Sequence, residues 1–252
     1  MKNNTTVLIV GGTGYVGSAI IKQALRLSNI KIISVQRHLP AQPIDPRVVY
    51  VQGSCLEPET FKDQIKEADV VIHSLGVLID SHITKRIPKG GDGTYEQVNF
   101  ETAKKLGDLT NSLTDKKRKF FFLSAKYGLP FTSRYLDSKR LAESHLSTLN
   151  NIQFTAFYAG LVVDWKERMF TGPLGKVIDV MSRIEHHWLI HPIFSTPLIG
   201  SFLSRFIVDT SILREDLAKG ITYCAVETDS SLPLKLENPQ ICEAARKFDK
   251  LI

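Results

Sequence analysis

The sequence predicts an α/β fold: a doubly wound parallel sheet with helices on both faces and a small carboxy-terminal lobe. Three observations carry this. Strand-like and helix-like segments alternate through the first two thirds of the chain, the order that calls for a parallel sheet. Several strand-like runs are apolar throughout, as Val70-Val71-Ile72 and Phe120-Phe121-Phe122-Leu123 are, which is the pattern of strands covered on both faces. The opening unit is a short apolar run, Val7 to Val10, that ends in Gly11, Gly14 and Gly17 and passes at once into a helical pattern at Ala19, Ile20, Ala24 and Leu25. With no repeat, linker or low-complexity stretch, residues 1–252 read as one domain, in which residues 161–252 contribute a smaller, more apolar lobe.

The elements follow in order. After the first strand and helix, Lys31 to Val35 and Arg47 to Gln52 read as strands. Glu59 to Glu67 reads as a short helix and Ala68 to Ser74 as the fourth strand. Asp80 to Thr94, with Gly90, Gly91 and Gly93, reads as a solvated surface loop. Tyr95 to Leu113 is expected as one long helix, Lys119 to Ser124 as the fifth strand, Leu136 to Leu149 as a helix and Gln153 to Ala159 as a further strand. From Met169 the character changes. Leu174, Val177, Ile178, Met181 and Ile184 recur at helical spacing, and the apolar stretch from Pro192 to Val208 holds Phe194, Phe202 and Phe206. That stretch suits either packing on the domain or a face for a lipid, a membrane or a partner. Ser211 to Gly220 reads as a short helix with Gly220 as its carboxy-terminal cap, and Pro239 to Leu251 as a terminal helix.

Composition narrows the function classes. The chain has 252 residues, 43% hydrophobic and 23% charged, ordinary values for a globular α/β domain of this size. Its net charge of +6 suits anionic partners such as a phosphorylated cofactor or an anionic membrane surface. No nucleic-acid-binding motif accompanies that charge and the lysines are scattered, so nucleic acid is the weaker reading. Cys55, Cys224 and Cys242 show no metal spacing, and an odd number cannot all pair, which points to reduced thiols. His186, His187 and His191 lack an acidic or cysteine partner at ligand spacing, so no metal site is expected. No run is long enough to span a membrane, and with only Met1 to Thr6 before the first strand neither a secretory signal nor an ordinary Arg-rich presequence is expected, a cleaved or internal targeting signal staying open.

Strand, glycine turn and helix in that order are what a dinucleotide pyrophosphate requires. In the stretch Gly11-Gly12-Thr13-Gly14-Tyr15-Val16-Gly17, Gly11 permits the tight turn and Gly14 lets backbone approach the phosphates. Gly17 lets helix lie close on strand, and the helix amino terminus offers free N–H groups to the anion. The second strand ends at Gln36-Arg37-His38. An NAD-selective site places a carboxylate there for the ribose hydroxyls. Here there is none, and Arg37 can pair with a 2′-phosphate through its planar fork. NADP(H) is therefore expected in preference to NAD(H). Further on, Tyr135 and Lys139 stand at i and i+4 on one helix face. A lysine beside a phenol lowers its pKa and lets it exchange a proton with a carbonyl or alcohol oxygen. The same Lys139 can bond a nicotinamide ribose, and Ser124, at the end of the fifth strand, is placed to bond a substrate oxygen.

These motifs resemble the extended short-chain dehydrogenase/reductases, as an atypical member. The resemblance rests on the glycine triplet, Asp69-Val-Val-Ile-His-Ser-Leu-Gly76, Asn99 with Thr102, Phe122-Leu-Ser-Ala125 and Tyr135-x-x-x-Lys139, and runs from about Val7 to Gly160 and less clearly through Ser211 to Gly220. It implies a Rossmann fold and a cofactor set that adds Ser54, Ser74, Leu75 and Gly76. It also implies Ser124, Tyr135 and Lys139 as the catalytic group. His73 to Leu78 and Tyr135 to Glu143 most resemble a mitochondrial and plastid group. That group includes the accessory NADPH-binding subunit of respiratory complex I and the fungal reductase-like protein of the coenzyme Q synthesis complex. The group implies a place on the matrix side of the mitochondrial inner membrane, in one of those complexes, with residues 192–208 compatible with membrane contact. Three departures stand out. Ser54 replaces the usual Asp near the adenine, Tyr158-Ala-Gly160 replaces Arg-Pro-Gly, and Tyr135 follows Ser124 by only eleven positions. A shortened substrate segment leaves two readings open: a nucleotide held without turnover, or a working reductase of a carbonyl or quinone-related substrate.

Overall fold

The computed structural model describes residues 4–42, 45–77, 80–126, 133–164, 211–227 and 232–252. Its strands are β1 (Thr5–Val10), β2 (Ile30–Gln36), β3 (Val48–Gln52), β4 (Val70–His73), β5 (Arg118–Ala125), β6 (Ile152–Ala159), β7 (Val162–Val163), β8 (Ile212–Leu213) and β9 (Lys235–Glu237). Seven of them form one sheet in the order β3-β2-β1-β4-β5-β6-β9, and every pairing in it is parallel. β7 and β8 pair separately as a short parallel ribbon. The helices are α1 (Tyr15–Ala24), α2 (Lys62–Glu67), α3 (Ser81–Lys85), α4 (Thr102–Ser112), α5 (Ser133–Ser147), α6 (Arg214–Val226) and α7 (Asn238–Asp249). The doubly wound parallel sheet that the alternation predicts is the one observed.

Alternate residues of each strand feed two separate cores. Val7 and Ile9 of β1 pack with Ile20 of α1, Leu217 and Ile221 of α6 and Ile241 of α7. Leu8 and Val10 face the other side, with Phe61, Ile65 of α2, Leu106 of α4 and Leu146 of α5. Burial on both faces explains why the runs are apolar without alternation. The strand order reverses between β1 and β4, so the carboxyl ends of those strands open a crevice at the place where such folds bind ligands.

Several elements differ from the sequence reading. Tyr95 to Leu113 is not one regular helix: Glu96–Glu101 is a π turn that precedes α4. Ser211 to Gly220 does not end at a glycine cap. α6 runs on to Val226, and Gly220 lies inside it, where a Cβ would stand 2.6 Å from the Ile241 carbonyl oxygen of α7. That glycine serves helix packing. Asp80 to Thr94 is not a plain solvated loop either. It contains α3, and Asp80 and Thr94 at its two ends are buried. Ser81 N–H donates to the Gly93 carbonyl at 3.2 Å, closing it as an Ω-loop. Residues 174–184, the three histidines and residues 192–208 lie outside the described residues.

At the amino-terminal edge of the sheet, away from the crevice, the Arg118 side chain is fully buried. It donates to the carbonyls of Ile65 at 2.9 Å, Lys66 at 2.7 Å and Leu113 at 3.2 Å. One guanidinium thus satisfies the last carbonyls of α2 and the residue that ends α4.

Candidate functional site

A cleft of about 840 Å³ opens along the carboxyl ends of β1, β2, β4, β5 and β6. Gly11, Thr13, Gly14, Tyr15, Val16, Arg37, Ser54, Ser74, Leu75, Gly76, Ser124, Tyr135 and Lys139 all line it. Of the cofactor and catalytic residues named from the sequence, Gly12 and Gly17 alone do not line it. A Cβ on Gly17 would meet the Gly11 carbonyl oxygen at 2.2 Å, and one on Gly12 would meet the Ser34 hydroxyl at 2.1 Å.

The turn is built by backbone constraint. Gly11 has a φ of +82°, and a Cβ there would lie 2.8 Å from Leu75. Gly14, extended at φ −75° and ψ 176°, is the N-cap of α1 and supplies no capping side chain. The first-turn N–H groups of α1 are left for an anion. Across the switch point, Ser74 N–H and Oγ both reach the Val10 carbonyl, at 3.1 and 2.6 Å, and fix the opposite lip.

At the end of β2 the Ser34 hydroxyl donates to Gln36 Oε1 at 2.8 Å. Gln36 is buried on the cleft wall, and its Nε2 has no hydrogen-bond partner among the described residues. A buried donor without an acceptor is costly unless a ligand supplies one. Arg37 and His38 follow on the wall, exposed. Glycine cradle, uncapped helix end and orphaned amide together fit a dinucleotide.

The other end of the cleft holds the titratable groups. Lys139 is buried, and its Nζ donates to the Leu123 carbonyl at 2.8 Å and the Leu75 carbonyl at 3.4 Å, 4.7 Å above the Phe122 ring. Burial lowers its pKa to about 7, with Glu143 opposing. Tyr135 packs edge-on against Tyr95, ring centroids 5.5 Å apart. Its pKa is not lowered as expected from Lys139. Burial, then Tyr95, push it up to about 12, and Arg140 opposes. Ser124 donates to Glu143, Arg140 donates to Ser124 Oγ at 3.2 Å, and the Tyr158 phenol donates to the other Glu143 oxygen. A hydroxyl has one proton to give, so that of Ser124 is committed to Glu143.

Around this group, His73, Asn99 and Thr102 stood in the sequence only as parts of the resembling motifs, without a role, and Arg134 and Glu96 were missed. His73, fully buried, contacts Thr102 Oγ1 at 2.9 Å through Nε2. Thr102 gives its own proton to the Val98 carbonyl at 2.6 Å, so His73 is the donor there and carries its proton on Nε2. Burial, then the charge of Lys139, lower its pKa to about 3, which keeps it neutral. Asn99, on the π turn, accepts from Val77 N–H at 3.3 Å and donates to Ser138 Oγ at 3.1 Å, tying the β4 loop to α5. Arg134 grips Glu96 with two nitrogens, at 2.7 Å and longer, and Asp80 at 2.6 Å. The Asp80 side chain is fully buried. That trio anchors the Ω-loop beside Tyr135. These partners lie tens of residues apart in sequence, and only the glycine spacing and the Tyr-Lys pair gave a local signal.

Fold and cleft define an NAD(P)-binding Rossmann protein, with a fold like that of short-chain dehydrogenases. Residues 11–172 match the family model described as NAD(P)H-binding, and the chain belongs to that family. A curated relative, MIOREX complex component 2 of Saccharomyces cerevisiae, is 25% identical over 186 residues, 57% of this chain and 67% of that one. Similar solved structures include a short chain dehydrogenase from Leptospira borgpetersenii with bound NAD+, at 14% identity and TM-score 0.63, covering 95% of this chain and 93% of that one. Another is the Bordetella bronchiseptica enzyme WbmF in complex with NAD+, at 18% identity and TM-score 0.60, covering 99% and 79%. At such identities the likeness is one of fold.

Proposed function

We propose that this chain is an NADP(H)-binding component of a mitochondrial inner-membrane assembly, on the matrix side, in respiratory complex I or in ubiquinone synthesis. In this reading the nucleotide is held and does not turn over. The observation that carries it is a contrast within one cleft. The glycine cradle is complete, while the Ser124 proton is given to Glu143 and Tyr135 leans on Tyr95 with a raised pKa. The preference for NADP(H) rests on Arg37 and the unfilled Gln36 donor, with no carboxylate at the end of β2 to repel a 2′-phosphate. The name of the yeast relative, a component of a complex, favours an assembly over a free-standing enzyme. The resemblance to the mitochondrial group supports the compartment, and the composition of residues 192–208 supports contact with the membrane.

A second reading has its own observation: Ser124, Tyr135 and Lys139 do line the same cleft. A bound NADPH would supply a hydride to a carbonyl or quinone-related substrate, with Tyr135 giving the proton and Lys139 holding the ribose. Purification from the native source, with mass spectrometry of nucleotide and partners, separates the two. NADP(H) co-purifying with respiratory-chain subunits or coenzyme Q enzymes is expected. A lone monomer that oxidises NADPH when quinone precursors or small carbonyls are added, and loses this in Tyr135→Phe, would overturn the first reading.

A further inference from the structure

The buried arginine at the start of α6 touches three residues in two parts of the chain. Arg214 Nε donates to the Tyr15 carbonyl at 2.7 Å, Nη2 to Ser18 Oγ at 2.8 Å, and Nη1 lies 3.3 Å from Asp164. Its guanidinium stacks 4.5 Å from the Tyr15 ring centroid, and the side chain is 10% exposed. Tyr15 and Ser18 are in the first turn of α1, the turn whose N–H groups face the cleft and whose N-cap, Gly14, has no side chain to cap it. Arg214 does from outside what a capping side chain does from within: it fixes that turn.

The third contact gives the arrangement a second end. Asp164 follows β7 directly, and Arg214 follows β8. The two strands pair in register, Val162 with Ile212, and Ile212 N–H donates to the Leu161 carbonyl at 2.9 Å. Gly160, Leu161 and Val162, leading into that ribbon, form part of the cleft wall. One side chain therefore joins the glycine turn to the short ribbon of β7 and β8, which we call the stem. A rigid planar fork with several donors is suited to holding such acceptors at once.

We propose that Arg214 is a positioning residue for the nucleotide, and that through it loading of the cleft and the order of the β7–β8 stem are thermodynamically linked. A ligand that fixes Tyr15 and Ser18 stiffens the Arg214 contacts, and these stiffen the stem. By reciprocity, anything that orders the stem raises affinity for the nucleotide by the factor by which the nucleotide favours the ordered stem. The proposal rests on the nucleotide site proposed above.

The test is hydrogen exchange by mass spectrometry on the full chain, with and without saturating NADPH, beside NADPH titration. In the wild type, nucleotide slows exchange in the glycine turn and also in peptides that cover 161–164 and 211–214. In Arg214→Gln the NADPH Kd rises at least about fivefold, the lower edge of ordinary coupling between sites. Nucleotide then protects the glycine turn alone. Arg214→Lys restores part of both effects. Should Arg214→Gln fail to fold, Ser18→Ala, which removes one acceptor and buries no charge, carries the same comparison with a smaller change. Stem peptides that exchange identically with and without bound NADPH in the wild type, or an unchanged Kd in the variants, overturn the linkage alone. A wild-type chain that binds no dinucleotide overturns the proposed function and the linkage with it.

Discussion

Gly14→Ala separates ligand approach from chain folding. Gly14 is already at φ −75° and ψ 176°, a conformation open to alanine. A Cβ there meets only the Gly11 carbonyl oxygen, at 3.0 Å, which moves by a few tenths of an ångström to admit it. Alanine is a poorer N-cap than glycine by about 1 kcal/mol, so Tm should fall by only about 2–4 °C in a domain of this size. The new methyl, however, projects where backbone must approach the pyrophosphate. Loss of even one N–H contact to a charged oxygen costs roughly 1.5–3 kcal/mol, and NADPH affinity should fall at least about tenfold. Thermal unfolding by circular dichroism and NADPH titration by fluorescence read the two effects apart. Gly17→Ala serves as the contrast, since its Cβ would sit 2.2 Å from the Gly11 carbonyl and the turn cannot form around it. Unchanged NADPH affinity in folded Gly14→Ala would refute the placement of the pyrophosphate.

Three further outcomes follow from buried polar groups. Arg134→Ala leaves the Asp80 carboxylate buried without its cation. It should cost about 3 kcal/mol in urea unfolding, and Glu96→Gln, which removes a half-exposed partner, much less. Thr155 is fully buried in β6 with a hydroxyl that has no partner among the described residues; Thr155→Val should raise stability by about 1 kcal/mol, read as a higher urea midpoint. Lys139 holds its proton with a pKa of about 7 when folded against 10.5 ordinarily. Between those values the unfolded chain binds the extra proton, so this residue's contribution to stability improves as pH rises from about 7 towards 10.5. The difference between wild type and Lys139→Met in urea midpoint should therefore change with pH across that window, and a constant difference would show that Lys139 does not titrate there.

The legible parts of this molecule were those whose cause is local. β1, β4 and β5 announce themselves because burial on both faces demands uninterrupted apolar runs, and the glycine turn because backbone geometry admits no other residue at Gly11 or Gly17. β7, β8 and β9 are two or three residues long, too short to carry a period, and exist only because a neighbouring strand offers its edge. Gly220 was misread because a glycine near the end of a helical pattern looks the same whether it caps the helix or admits a neighbour. The site divides the same way. Tyr135 and Lys139 share a helix face by spacing. That Ser124 spends its proton on Glu143, and that Tyr135 meets Tyr95 rather than a cationic neighbour, depends on how α5 and the π turn pack on the sheet. Arg214 reaches Ser18 across 196 positions, beyond any local pattern.

The π turn at Glu96–Glu101 is in effect one surplus residue in the helical count. Each α-helical residue turns the chain by about 100°. Deleting a single residue there would let α4 extend regularly backwards and would rotate everything ahead of it by about that angle. Tyr95 would swing off Tyr135 and Glu96 off Arg134, while Thr102, behind the turn, would keep His73. The helix thus carries two phases, one set by the sheet and one by the cleft, and a one-residue deletion would spare the first while scrambling the second.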